Sequence, residues 1–163
     1  MKKALSIISA LGVVGAIGIA FAAWNFGAAT SDSVNVGVTI DDATSDDLGA
    51  FAFSDTTASL ELDDVDAGFN ITFTATFTLA SDLSGGVTLS DVAFTYSVSF
   101  TYGLDAYLTA TGGAFTNGTA KAVHIDWKSG KNPTTLVEYN ALKDVIEGSP
   151  APKIVITVVA DLI

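Results

Sequence analysis

Phe69-Asn70-Ile71-Thr72-Phe73-Thr74-Ala75-Thr76-Phe77-Thr78-Leu79 alternates apolar and polar residues without a break over eleven positions. A period of two belongs to a strand, whose successive side chains point to opposite faces. One apolar face backed by one threonine face predicts an antiparallel sheet that is covered on one side and wet on the other. Working outward, Val34, Val36, Val38 and Ile40 alternate with Asn35, Gly37 and Thr39, and Val92, Phe94, Tyr96, Val98, Phe100 and Tyr102 alternate with Ala93, Thr95, Ser97, Ser99 and Thr101. Shorter strands are expected over Phe51–Phe53, Ala58–Leu62, Tyr107–Thr111 and Ala122–Trp127. Lys153–Leu162 is nearly continuous in Ile and Val, which predicts a central strand. Ser84-Gly85-Gly86 and Gly112-Gly113 supply turn chemistry. Only Thr134–Glu147 reads as helix, with Pro133 at its start and Gly148 after its end. The fold expected is all-β, a jelly-roll or β-sandwich with one short helix, preceded by an N-terminal hydrophobic segment.

The chain has 163 residues, 18 acidic against 7 basic side chains, a net charge of −11 and no cysteine. Yet 49% of its residues are hydrophobic and its mean hydropathy is +0.48. The two properties occupy different stretches. Lys2 and Lys3 precede an uncharged run from Ala4 to Ala23 that ends in Ala20-Phe21-Ala22, the layout of a secretory signal with an A-x-A cleavage site. Residues 1–22 are therefore expected to be removed by signal peptidase during export, with a cut after Ala23 as the neighbouring choice. Two alternatives stay open: a retained membrane helix, since about 20 apolar residues also span a bilayer, and a type IV pilin-like leader cut near Lys3. Removal takes away two lysines and no acid, so the charge deepens to −13. Thirteen acids and no base lie between Ala23 and Ala120, whereas Lys121–Ile163 holds all five remaining lysines beside five acids. Such asymmetry solubilises the chain and also favours head-to-tail attraction between copies.

These features exclude several classes of function. The acidity, and the absence of arginine, argue against nucleic acid as a partner and against an anionic membrane surface; contact with membrane is expected only before processing. Without cysteine there is no disulfide framework, thiolate metal site or cysteine nucleophile. His124 is the sole histidine and alternates onto the polar side of its strand, opposite Val123, Ile125 and Trp127. No H-E-x-x-H, G-x-S-x-G or glycine-rich phosphate loop occurs. No enzymatic activity, catalytic residue or cofactor is expected. The acid clusters Asp41, Asp42, Asp46, Asp47 and Asp63, Asp64, Asp66 lack the spacing of an ordered calcium loop, so the first is only a weak calcium candidate and both read as solubilising turns. Asn70-Ile71-Thr72 and Asn117-Gly118-Thr119 are glycosylation sequons; Asn132-Pro133-Thr134 is excluded by its proline.

After cleavage the chain would open Ala23-Trp24-Asn25-Phe26-Gly27-Ala28-Ala29, where Trp24, Phe26 and Ala28 alternate with Asn25, Gly27 and Ala29. A short β-forming piece with a bulky apolar face at a free terminus either folds back as an edge strand or enters the groove of a neighbouring copy as a donor strand. This opening, behind a signal that ends in small residues and ahead of a Ser/Thr/Asp-rich run into a Val-rich strand, resembles the TasA and camelysin family and the related archaeal bundling pilus subunits. The residues that carry the likeness span Ala20 to Ile40. The resemblance implies a jelly-roll subunit of an extracellular biofilm or cell-bundling filament, a homopolymer on the cell surface whose donor strand is Trp24, Asn25, Phe26, Gly27, Ala28 and Ala29. Camelysin-type members are classed as metallopeptidases, and this chain lacks the ligands for that chemistry. The domain organisation expected is 1–22 signal, 23–31 donor segment and 32–163 β-domain. The alternatives are a monomeric or membrane-anchored surface module that binds glycans through Tyr102 and Tyr107, and a pilin-like subunit that keeps its hydrophobic helix.

Overall fold

The computed structural model describes residues 34–45, 47–64, 67–81, 83 and 86–163. Among them nine strands form two sheets with one α-helix. The strands are β1 (Val34–Asp42), β2 (Gly49–Ser54), β3 (Ser59–Leu62), β4 (Phe69–Leu79), β5 (Val92–Phe100), β6 (Leu108–Ala110), β7 (Gly113–Ala114), β8 (Lys121–Trp127) and β9 (Lys153–Leu162), with α1 (Leu136–Ile146) between the last two. One sheet has the order β3-β1-β9-β5-β7, the other β2-β4-β8-β6. The alternation of β4 places Phe69, Ile71, Phe73, Ala75 and Phe77 in the core, none more than 7% exposed. Ile154, Ile156, Val158 and Ala160 of β9 face them from the middle of the other sheet. Burying a large apolar side chain stabilises by about 1.5–3 kcal/mol, so these two strands anchor the fold.

Both edges of the sandwich are closed by strands that change sheets. β2 pairs with β4; the chain then passes Thr57, whose N–H donates to Thr72 O at 2.9 Å, and Ala58, whose carbonyl accepts from Val38 N at 2.9 Å, before β3 pairs with β1. On the other side β6 pairs with β8 and β7 with β5. Gly112 makes the corner, where a Cβ would lie 2.4 Å from Tyr96 O. Only glycine lets two backbones approach that closely.

Five details depart from the expectations. β1 and β9 pair in parallel, from Gly37↔Lys153 to Asp42↔Val158, so the larger sheet is mixed. β5 stops at Phe100, because Tyr102 turns with φ 51° and its ring is 62% exposed. Phe94, Tyr96, Val98 and Phe100 are half-buried, packed against the margin of the core. Gly113, expected in a turn, belongs to β7. Thr74 is buried although it stands on the threonine face of β4.

The elements give the domain two poles. β1 and β9 run parallel and start at the same end, where β8 finishes and residues 128–152 with α1 fill the interval. Thr135 caps α1, its hydroxyl accepting from Glu138 N at 3.3 Å while the Glu138 carboxylate accepts from Thr134 N and Thr135 N. Tyr139, Leu142 and Ile146, at helical spacing, enter the main core. This is the helix pole. The opposite pole is built from the ends of β1, β4 and β9, the start of β5 and the loops between them.

Candidate assembly poles

The far pole holds a second, smaller core of Leu48, Phe77, Val92 and Ala160, against which Leu79, Leu83 and Phe94 pack. Beside it is an open pocket of about 330 Å³. Ala43, Leu48, Leu83, Val159, Ala160 and Leu162 form its apolar wall; Ser45, Asp47 and Asp161 are the polar part of the lining. The last two residues of the chain stand out from the sandwich here, Leu162 56% and Ile163 84% exposed, and Leu89 is 45% exposed. Ile163 N donates to Asp91 O at 3.0 Å, which ties the C-terminus to the start of β5. Pocket volumes for small ligands begin near 300 Å³, so this one fits a single bulky side chain better than an extended molecule.

Asp41, Asp42, Asp47, Asp91 and Asp161 lie at the pocket pole; Lys128, Lys131, Lys143 and Lys153 lie at the helix pole, among Asp63, Asp64, Asp105, Asp126, Glu138, Asp144 and Glu147. Lys121, at the start of β8, is 5.4 Å from the Tyr96 ring centroid and accounts for the fifth described lysine.

The weak calcium candidates separate. Asp46 lies outside the described residues, Asp41 is on β1, and Asp47 lines the pocket. The Asp42 carboxylate is occupied as an acceptor: Thr44 N donates to Oδ1 at 2.8 Å and Phe51 N to Oδ2 at 2.9 Å. Burial pushes its pKa up, but these two N–H groups and the Thr44 hydroxyl outweigh that and hold it below the ordinary aspartate value. Asp42 therefore ties β1 to the edge strand β2. Among the described residues no group of three or more acidic or histidine side chains is placed to hold a metal ion.

Asn70 is exposed on β4, and His124, opposite it on β8, meets Asn70 Oδ1 through Nδ1 at 3.2 Å and Asp126 Oδ1 through Nε2 at 2.9 Å. Asn117 is half-buried and serves the fold. Its Oδ1 accepts from Phe77 N at 2.6 Å and its Nδ2 donates to Phe77 O at 3.2 Å. Gly118 N donates to Ala75 O at 2.9 Å. Together they continue along the upper half of β4 the ladder that β8 leaves off at Lys121. Tyr102 is exposed and Tyr107 half-buried; both sit at the helix pole. Trp24, Asn25, Phe26, Gly27, Ala28 and Ala29 lie outside the described residues.

Sequence patterning passed over the pocket, whose walls come from residues 43–48, Leu83 and the end of β9. No helix among the described residues is long and apolar enough to cross a membrane. No family model matches the chain, and no curated protein or solved structure matches it.

Proposed function

We propose that the chain is a structural subunit of an extracellular filament, exported, trimmed after the signal, and polymerised as a jelly-roll domain by N-terminal donor-strand complementation. One observation supports this most: β1 enters the fold at the helix pole, and the open apolar pocket is at the other pole. Val34 lies eight positions after Phe26, a reach of at most about 26–29 Å when fully extended. β1 itself advances roughly 26 Å from Val34 to Asp42 at about 3.3 Å per residue. Phe26 turned back along its own domain reaches the end of β1, beside the Ala43 wall of the pocket, only if no length is spent on the turn. A copy stacked pole to pole presents its pocket directly to the departing segment. Burying one of Trp24 and Phe26 there would contribute about 1.5–3 kcal/mol before ordering costs. The contact is heterologous, so it propagates as a fibre unless rotation closes a ring.

The test is negative-stain microscopy of the processed protein beside a variant lacking residues 23–31. The processed protein should form filaments and the deletion variant soluble monomers. Unchanged filaments from the deletion variant would contradict donor-strand assembly. A processed protein that never polymerises would favour a monomeric surface module, with the exposed Tyr102 as its first contact to examine.

A further inference from the structure

The two sequons are in opposite physical conditions. At Asn117 both ends of the amide are used on the backbone of Phe77, a residue only 2% exposed. Thr119 N donates to Thr116 O, closing the turn that holds the amide in place. A glycan on Nδ2 would set an anomeric carbon where this side chain lies against β4. At Asn70 the neighbours Phe69 and Ile71 are buried and the side chain between them faces solvent. Its one hydrogen bond among the described residues is an exposed one with His124 Nδ1 at 3.2 Å, so the amide, unlike that of Asn117, is not tied to the backbone of a buried residue. His124 in turn meets Asp126 Oδ1 through Nε2 at 2.9 Å, and the three side chains lie on the outer face of the sheet.

We propose that Asn70 carries an N-linked glycan and that Asn117 does not; this rests on the export proposed above. The co-reactant is an oligosaccharide linked through phosphate to a polyprenyl carrier. Nδ2 of Asn70 forms a bond to the anomeric carbon, the bond from that carbon to the carrier phosphate oxygen breaks, the carrier leaves with the electron pair, and Nδ2 gives one proton to a base of the transferase. Thr72 supplies the sequon hydroxyl. Because β4 holds Asn70–Thr72 extended against β8, the transfer takes place during export, before the two strands pair. The glycan then stands on the outer face of the β2-β4-β8-β6 sheet, where it adds solvated cover without entering the core.

Peptide mapping by mass spectrometry, on protein recovered outside the cells that make it, tests the assignment. The peptide holding Asn70 should carry one sugar increment and the peptide holding Asn117 none. Thr72→Ala should abolish the increment and Thr72→Ser should keep it, with Asn70 and its bond to His124 intact in both. The wild-type map decides without relying on any variant of Asn117, whose loss would also disturb folding. An increment on Asn117, or an extracellular protein with no increment, would overturn the assignment while leaving export standing. Unmodified protein kept inside the cell would overturn both.

Discussion

Asn117 shows how much one amide can do for a sheet. Its side chain satisfies the N–H and C=O of Phe77 and so replaces a residue of the strand that β8 does not extend far enough to supply. Truncation leaves both backbone groups without that partner, and an unsatisfied partly buried group costs about 1–3 kcal/mol. Asn117→Ala should therefore lower the midpoint of denaturant unfolding by an amount in that range; a midpoint equal to wild type would mean that solvent replaces the amide at no cost. Nothing local in Asn117-Gly118-Thr119 announces this job. The motif suggests a loop and a sequon, and the bond that defines the residue is made across 40 positions of sequence. Asp42 is similar: its neighbours suggest an acidic turn, and only the return of β2 gives its carboxylate a second N–H, from Phe51.

At the level of elements, the longest periodic segments were the most legible. β4 and β9 begin and end where the alternation and the Ile/Val run do, because eleven and ten residues of consistent patterning leave no competing register. The helix was legible from its flanking proline and glycine, although Thr135 caps it and the helical turns cover only Leu136–Ile146. What escaped were the places where a strand changes partners. Gly112-Gly113 has the composition of a turn, yet Gly112 is a corner and Gly113 already pairs with Tyr96. The parallel pairing of β1 with β9 was also hidden, since side-chain periodicity is the same in both directions. The corner makes a prediction of its own. A methyl at Gly112 meets the backbone of Tyr96 and Ser97 rather than a movable side chain, and forced overpacking costs about 1–3 kcal/mol. Gly112→Ala should reduce stability in thermal or denaturant unfolding by that amount, and a neutral result would show that β6 and β7 shift freely.

For the whole molecule, the organising property is that the first described strand enters at one pole and the pocket opens at the other. A chain that is both apolar and strongly acidic has its longest uncharged run ahead of the fold and its apolar side chains inside two sheets. Exposed Leu89, Leu162 and Ile163 lie at the far pole beside the pocket, while exposed Tyr102, Leu136 and Val137 and four of the five described lysines, with acids among them, sit at the opposite end. Alternation in the sequence could reveal the sheets but not this arrangement, because the pocket walls come from three separate segments. Under the proposed assembly, the entry point of one copy meets the pocket of the next. Because the chain contains no cysteine, a pair introduced by mutation reports on one contact alone. The decisive measurement is oxidative cross-linking of the processed protein carrying Ala28→Cys and Leu162→Cys in the same chain, followed by a non-reducing gel. Pole-to-pole donation predicts a ladder of covalent dimers, trimers and longer multimers that collapses on reduction, whereas a chain that completes itself would yield only internally bridged monomers, and that result would contradict the account.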